Sequence, residues 1–229
     1  MTHERLDQPA WHSLGGAHAH LALRAGRARR YPAEVSPFAA LEKPDVAALV
    51  DLAQLLPVGG VVALTGADAA LDAPGWRALG GFEVIQMVCE EKVAPPDRAF
   101  PELGPADVAD VLALVARTEP GPFGTRTLEM GRYVGVRADG ALVAMAGERL
   151  KPAGYTEVSG VCTAPEARGR GLAEALVRAV AAGAQARGDV PFLHVRAGSP
   201  SEATATALYA RVGFRERDRR RLAIVQRTG

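Results

Sequence analysis

Aromatic side chains are scarce in this chain. Its 229 residues include six Phe, four Tyr and two Trp, so Ala, Val and Leu carry most of the packing. Cysteine is scarcer still: Cys89 and Cys162 stand far apart, each in an apolar run. No CxxC pair or Cys/His cluster marks a metal site. The two thiols read as buried and free, which implies a reducing compartment. An excess of one charge is also lacking. Lys and Arg number 27 against 26 Asp and Glu, a formal net charge of +1, which argues against an extended nucleic-acid footprint. No uncharged run reaches the ~18 residues that span a bilayer. His3, Glu4, Arg5 and Asp7 are followed by no apolar segment, so no signal peptide is read. The expectation is a cytoplasmic globular protein, monomer or homodimer, without nucleic-acid or membrane partners and without a metal. The length suits one large domain or two small ones.

The hydrophobic pattern divides the chain into two parts. In the first, residues 12–30 suggest a helix, with Leu14, Ala17, Leu21 and Ala28 at helical spacing. Tyr31 to Leu41 suggests a strand with a turn. Pro44 is placed as a first helical residue, and Val46, Leu49, Val50, Ala53 and Leu56 form an i, i+3, i+4, i+7 stripe. Val61–Thr65 and Phe82–Val88 read as strands, with a Gly/Ala/Asp/Pro-rich stretch over 66–81 anchored by Trp76. Residues 1–91 thus predict a small α/β half. Residues 92–104 hold Pro95, Pro96 and Pro101 with little pattern and read as a linker. From 105 to 229 the order is α, β, β, β, α, β, α, β. The helices are expected from Pro105 to near Thr118, over Gly171–Arg187 and over Glu202–Val212. The strands are expected over 132–137, 141–150, 155–163, 192–195 and 222–225. Hairpins followed by a β-α-β crossover predict a mixed α/β fold, with a mostly antiparallel central sheet and helices on its faces.

The chemistry concentrates where the third late strand runs through a Gly/Arg turn into a helix. A helix N-terminus exposes unpaired N–H groups and carries partial positive charge. Gly169 and Gly171 let an anion approach the backbone, and Arg168 and Arg170 add charge. The segment suits a pyrophosphate. Neither a GxxxxGK[ST] loop nor a GxGxxG turn with its distant acidic partner is present.

Arg168-Gly169-Arg170-Gly171-Leu172-Ala173 resembles the acyl-CoA loop of the GNAT N-acyltransferase superfamily. The run Val161-Cys162-Thr163-Ala164-Pro165-Glu166 resembles the segment that leads into that loop. Ala205, Leu208-Tyr209 and Gly213-Phe214 resemble the family's closing motif. The resemblance covers about residues 105–226 and is closest to the glycine N-acyltransferase-like branch, whose first half is often a degenerate copy of the same fold. It implies an N-acetyltransferase that uses acetyl-CoA as co-substrate and a small-molecule or amino-acid amine as acceptor, by direct attack in a ternary complex. It also implies that the backbone of Val161, Cys162 and Thr163 pairs with the pantetheine arm, that the amides of Arg168, Gly169, Arg170, Gly171, Leu172 and Ala173 hold the pyrophosphate, and that Tyr209 protonates the leaving thiolate. Glu202 stands where the family often has Asn.

An attacking amine must be neutral, so a base is expected nearby. Strict alternation places Glu157, Ser159, Val161 and Thr163 on one face of their strand, which makes Glu157 the candidate base, with Glu148 second. Cys162 alternates away and reads as core rather than nucleophile. His194 reads as a hydrogen-bonded strand histidine, and the Arg215–Arg221 run as a solvated turn. A non-catalytic acyl-CoA-binding or sensing protein is the alternative, and acetylation of a protein amine is a third reading.

Overall fold

The structure, a computed structural model, describes residues 3–65 and 73–229. The chain opens with helix α1 (Pro9–Gly15), the hairpin β1 (Leu23–Ala25) and β2 (Ala28–Arg30), strand β3 (Ala39–Leu41) and helix α2 (Val46–Ala53). Strands β4 (Val61–Thr65), β5 (Trp76–Val88) and β6 (Glu102–Leu103) and helix α3 (Val108–Thr118) follow. Then come β7 (Tyr133–Ala138), β8 (Ala141–Glu148), β9 (Tyr155–Thr163), α4 (Leu172–Ala186), β10 (Val190–Arg196), α5 (Glu202–Val212) and β11 (Arg215–Arg227).

An eight-stranded sheet in the order β4-β11-β5-β10-β9-β8-β7-β6 forms the frame, with β1-β2-β3 as a separate small sheet. Among the described residues β9 and β10 are the one parallel pair of named strands in the large sheet; the other neighbours are antiparallel. Helix α4 links β9 to β10, as a parallel pair requires. The mixed, mostly antiparallel sheet expected from the sequence is therefore present. Strands from both sides of the proline-rich 92–104 stretch hydrogen-bond within it, because β5 lies between β11 and β10.

Helix α4 buries Leu176, Val177, Val180, Ala181 and Ala184 against β7, β8 and β9. Each fully buried Leu or Val contributes about 1.5–3 kcal/mol. The apolar stripe explains the length of the helix, and Gly188, at φ +87°, follows its end. The N-terminal segment covers part of the sheet: Leu6, Leu14, Tyr31 and Val35 share a core with Val88, Met130, Leu150 and Phe192.

Several local expectations are corrected. Residues 12–30 do not form one helix. Helix α1 stops at Gly15-Gly16, and the chain turns back at Gly26 with φ +45°. A Cβ at Gly26 would stand 2.2 Å from Asp51 Oδ2, which accepts the Arg27 amide at 2.7 Å. Pro44 precedes the N-cap of α2 rather than opening the helix; Asp45 Oδ1 caps it by accepting from Ala48 N–H at 2.8 Å. Of the 66–81 stretch, residues 66–72 lie outside the described residues, and Trp76 begins β5. The last strand begins at Arg215 rather than Leu222. Its arginines sit in the ladder with β5 and find acidic partners: Arg215 pairs with Glu91, Arg217 with Asp7, Arg219 with Glu83 and Glu216, and Arg220 with Asp7 and Asp218. Paired charge lets an arginine-rich run be a strand, where its composition suggested a turn.

His18 joins the N-terminal segment to the rest. Its Nε2–H donates to Met130 O at 2.9 Å, and its Nδ1 accepts from Tyr31 Oη at 2.9 Å. Burial pushes its pKa down from 6.5 to about 4. The unfolded chain therefore takes up a proton below about 6.5 that the native state refuses until about 4. The contribution is complete above the upper value and is lost as pH falls through the window, by about 3 kcal/mol in all. Thermal midpoints should drop between pH 6.5 and 4 in the native protein, and the slope should flatten in His18→Gln. An unchanged slope would show that His18 does not titrate this way.

Candidate active site

The turn between β9 and α4 is a short helical turn, Pro165–Ala167, followed by Arg168 in extended conformation. Gly169 and Gly171 then take φ +75° and +71°, in the left-handed region open to glycine. No atom lies within 4 Å of a Cβ built at either. The Ala175 amide donates to Gly171 O at 3.1 Å. Among the described residues the amides of 169–174 ahead of it have no protein acceptor. Bare amides, a helix N-terminus and open space together make an anion cradle. Arg168 and Arg170 are exposed at its rim; Arg168 Nε reaches Thr163 O at 3.3 Å and Arg170 Nη2 reaches Glu166 O at 3.2 Å.

Strand β9 offers an open edge next to this cradle. It pairs with β10 only at Tyr155–Glu157 against Val190–Phe192. Beyond Glu157 the two strands part, while β8 continues to pair along the other side of β9. The backbone of Val161 and Thr163 therefore borders a gap shaped for an added strand. Thr163 Oγ1 is buried there without a hydrogen-bond partner. The side chain of Cys162 packs in a core with Val111, Leu114 and Met145, and burial raises its thiol to about 11. A protonated, enclosed thiol is core, as expected, and no nucleophile.

The strict alternation expected along β9 fails. Met145 pairs with Cys162, but Gly147 pairs with Ser159, which leaves one extra residue on β9. Gly160, at φ +62°, absorbs this bulge. Val158 and Val161 consequently pack against the same α4-side cluster, three residues apart. Glu157 and Val161 thus do not share a face. A glycine inside an apolar strand was the visible signal for this irregularity.

Glu157 is completely buried. Arg149 grips it through Nε to Oε2 at 2.9 Å and Nη2 to Oε1 at 2.8 Å, and the Leu150 amide adds a bond at 3.2 Å. His194 Nδ1 lies 2.7 Å from Oε1. Gln86 Nε2 lies 3.0 Å from His194 Nε2 and 2.8 Å from Leu6 O, while Gln86 Oε1 accepts from Arg217 at 2.7 Å. In this network His194 Nδ1–H donates to Glu157, and Gln86 Nε2–H donates to His194 Nε2. Burial alone would raise the Glu157 pKa, but Arg149 and His194 outweigh it and hold the carboxyl well below the usual range. Such a carboxylate is a weak base. Glu148 is similarly engaged, by Lys151 and Arg187 at 2.6 Å each, and is also shifted down against the effect of burial. No motif in the sequence marks Arg149, although the Pro152-Ala153-Gly154 turn sets it opposite Glu157: Arg149 N–H donates to Glu157 O at 2.9 Å.

Tyr209, on α5, packs against the same cluster as Leu176 and Val158, with Phe214 edge-on at 6.0 Å. Burial, with a smaller effect from Cys162, raises its hydroxyl to about 12. Glu202 Oε2 accepts from the Gly198 amide at 2.6 Å and so ties down the loop before α5. Among the described residues no group of three or more His, Cys, Asp and Glu is placed to hold a metal ion, and no helix is long and apolar enough to cross a membrane. A groove of about 900 Å³ lies elsewhere, between α4 residues Ala179, Ala182 and Gly183 and the 93–100 stretch, and contains none of the site residues.

The candidate site is thus a mixed sheet that parts beside a glycine-lined anion cradle. The FR47-like protein family model matches residues 133–223. A crystal structure of a GNAT-family protein from Novosphingobium aromaticivorans DSM 12444 is 40% identical over 98% of this chain and 99% of its own, with a TM-score of 0.88. A GCN5-related N-acetyltransferase from Kribbella flavida shares the fold at 17% identity, with a TM-score of 0.62 and 95% of each chain covered. No curated protein matches the chain. The chain belongs to the GNAT family of acetyltransferases.

Proposed function

We propose that the protein transfers the acetyl group of acetyl-CoA to the primary amine of a small molecule or amino acid, by direct attack in a ternary complex. The observation that carries this is the run of unpartnered amides over 169–174 beside the open edge of β9. Those amides, with Arg168 and Arg170, take the pyrophosphate; Val161 and Thr163 take the pantetheine arm. Tyr209 faces the leaving sulfur. Glu157 acts as an anchor that orients Arg149 and His194, since its own lone pairs are engaged. The N-terminal segment, packed over Leu150 and Phe192, supports a restricted acceptor rather than an open protein-binding cleft. A first half preceding the acyltransferase half is also what supports placement near the glycine N-acyltransferase-like branch.

Calorimetry with acetyl-CoA tests the cradle. The native protein should bind it, and Gly171→Val should weaken binding about five- to thirtyfold, because a β-branched residue in the left-handed region costs roughly 1–2 kcal/mol. Equal affinity in both would sink the assignment. The engaged states of Glu157 and Glu148 favour a second reading, a protein that binds acyl-CoA without turnover. CoA release in the presence of a panel of amines separates the two.

A further inference from the structure

Tyr133 carries a hydroxyl that the reading above leaves unused. The residue is 1% exposed, and its Oη is buried with no hydrogen-bond partner. Its neighbour Val134 packs on the α4 side, so Tyr133 points to the opposite face of the sheet. The ring does not stand upright on β7. It faces Gly147, its partner on β8, where a Cβ would come within 2.1 Å of the ring. A Cβ on Gly160 would lie 3.1 Å from Tyr133 Cε1. Two glycines on successive strands thus clear a corridor, and the ring lies across β8 with its far end at the β9 bulge. Phe123 fixes it edge-on at 5.4 Å. Arg149, Glu157 and Glu148 are the charges that act on it. Burial pushes its pKa well up, so the hydroxyl keeps its proton.

A buried donor left without an acceptor is costly in the free protein, and its persistence points to a ligand. The bulge at Gly160 lies where β9 and β10 have parted, and it immediately precedes Val161 on β9. We propose that Tyr133 Oη donates a hydrogen bond to the carbonyl oxygen of the bound thioester; this rests on the acetyltransferase reading above. As the amine nitrogen bonds to the carbonyl carbon, the C=O electron pair moves to oxygen, and Oη–H stabilises that charge. The oxygen pair then returns to re-form C=O as the C–S bond breaks, and the C–S electron pair leaves on sulfur. The nitrogen gives up one proton and the sulfur gains one, while Tyr133 retains its own.

The test needs no knowledge of the acceptor. Acetyl-CoA labelled with heavy carbon at the thioester carbonyl is bound to the native protein and to Tyr133→Phe, and the carbonyl stretch is read by isotope-edited infrared spectroscopy. The native protein should lower the stretch relative to free acetyl-CoA. Tyr133→Phe should return it toward the free value, and a ring-fluorinated tyrosine at position 133, a stronger donor, should lower it further. The free Tyr133→Phe protein should melt no lower than native, because it loses an unsatisfied group, whereas a purely structural hydroxyl would be missed. With any amine that turns over, kcat should fall about 100-fold, the scale of one lost oxyanion donor. A native-like carbonyl stretch in bound Tyr133→Phe would overturn the proposal while leaving the acetyltransferase reading intact. Failure of the native protein to bind acetyl-CoA, seen in the same titrations, would overturn the reading on which it rests.

Discussion

Glu157→Gln should lower stability by about 3–5 kcal/mol, because it leaves the Arg149 guanidinium inside the protein without its counter-charge. Arg149 has 13% of its side chain exposed and Glu157 none, so water cannot replace the lost partner. Phe38 lies under the guanidinium at 4.9 Å and offers only a weak alternative. On a domain stabilised by 5–15 kcal/mol in total, such a loss shows directly in urea or thermal unfolding. Replacing both residues, as Arg149→Met with Glu157→Leu, should recover much of it, since a buried pair costs desolvation that an apolar pair does not. The pH dependence has a definite sign. The folded-state pKa of Glu157 is depressed, so its contribution is present above the ordinary carboxylate range and lost as pH falls below it. The experiment also separates two roles. A general base removed as Glu157→Gln would cost turnover with little loss of stability, whereas an anchor costs both together.

Tyr209→Phe should reduce kcat by about 10²–10³-fold, the range for one lost donor to developing charge, with acetyl-CoA affinity unchanged. The hydroxyl near 12 is a weaker acid than an exposed tyrosine. Complete transfer to a thiolate of pKa about 8.5 is uphill by roughly 5 kcal/mol. In the proposed mechanism Tyr209 would therefore hydrogen-bond the sulfur while charge builds there, and the proton shed by the amine would end on the thiol. The pH–rate profile should accordingly show no fall assignable to Tyr209 below about pH 10. Native-like turnover in Tyr209→Phe would remove it from the mechanism. Absence of turnover in both proteins, with acetyl-CoA bound, would favour the binding-only reading.

Local chemistry in the chain was legible where few residues decide the outcome. Helix α5 follows its predicted bounds, Glu202 to Val212. The β9–loop–α4 segment follows from an apolar strand, two glycines and the Leu172, Leu176, Val180 stripe, all within one short stretch. Illegible features depended on distant partners. The arginines of β11 are strand residues because β5 and acidic groups as far away as Asp7 accept them. Helix α1 ends at Gly15-Gly16, although apolar residues at helical spacing continue beyond it.

The amino-acid order alone determined the anion cradle and the succession of late elements, because backbone freedom at Gly169 and Gly171 and helical periodicity are properties of neighbouring residues. Tertiary structure decided what the side chains around the candidate site can do. One extra residue at Gly160 turned β9 over, Arg149 and His194 converted a would-be base into a buried anchor, and two glycines laid Tyr133 across the sheet. Protonation, burial and reach are set by what surrounds a group in space, and those surroundings come from parts of the chain that sequence spacing does not bring together.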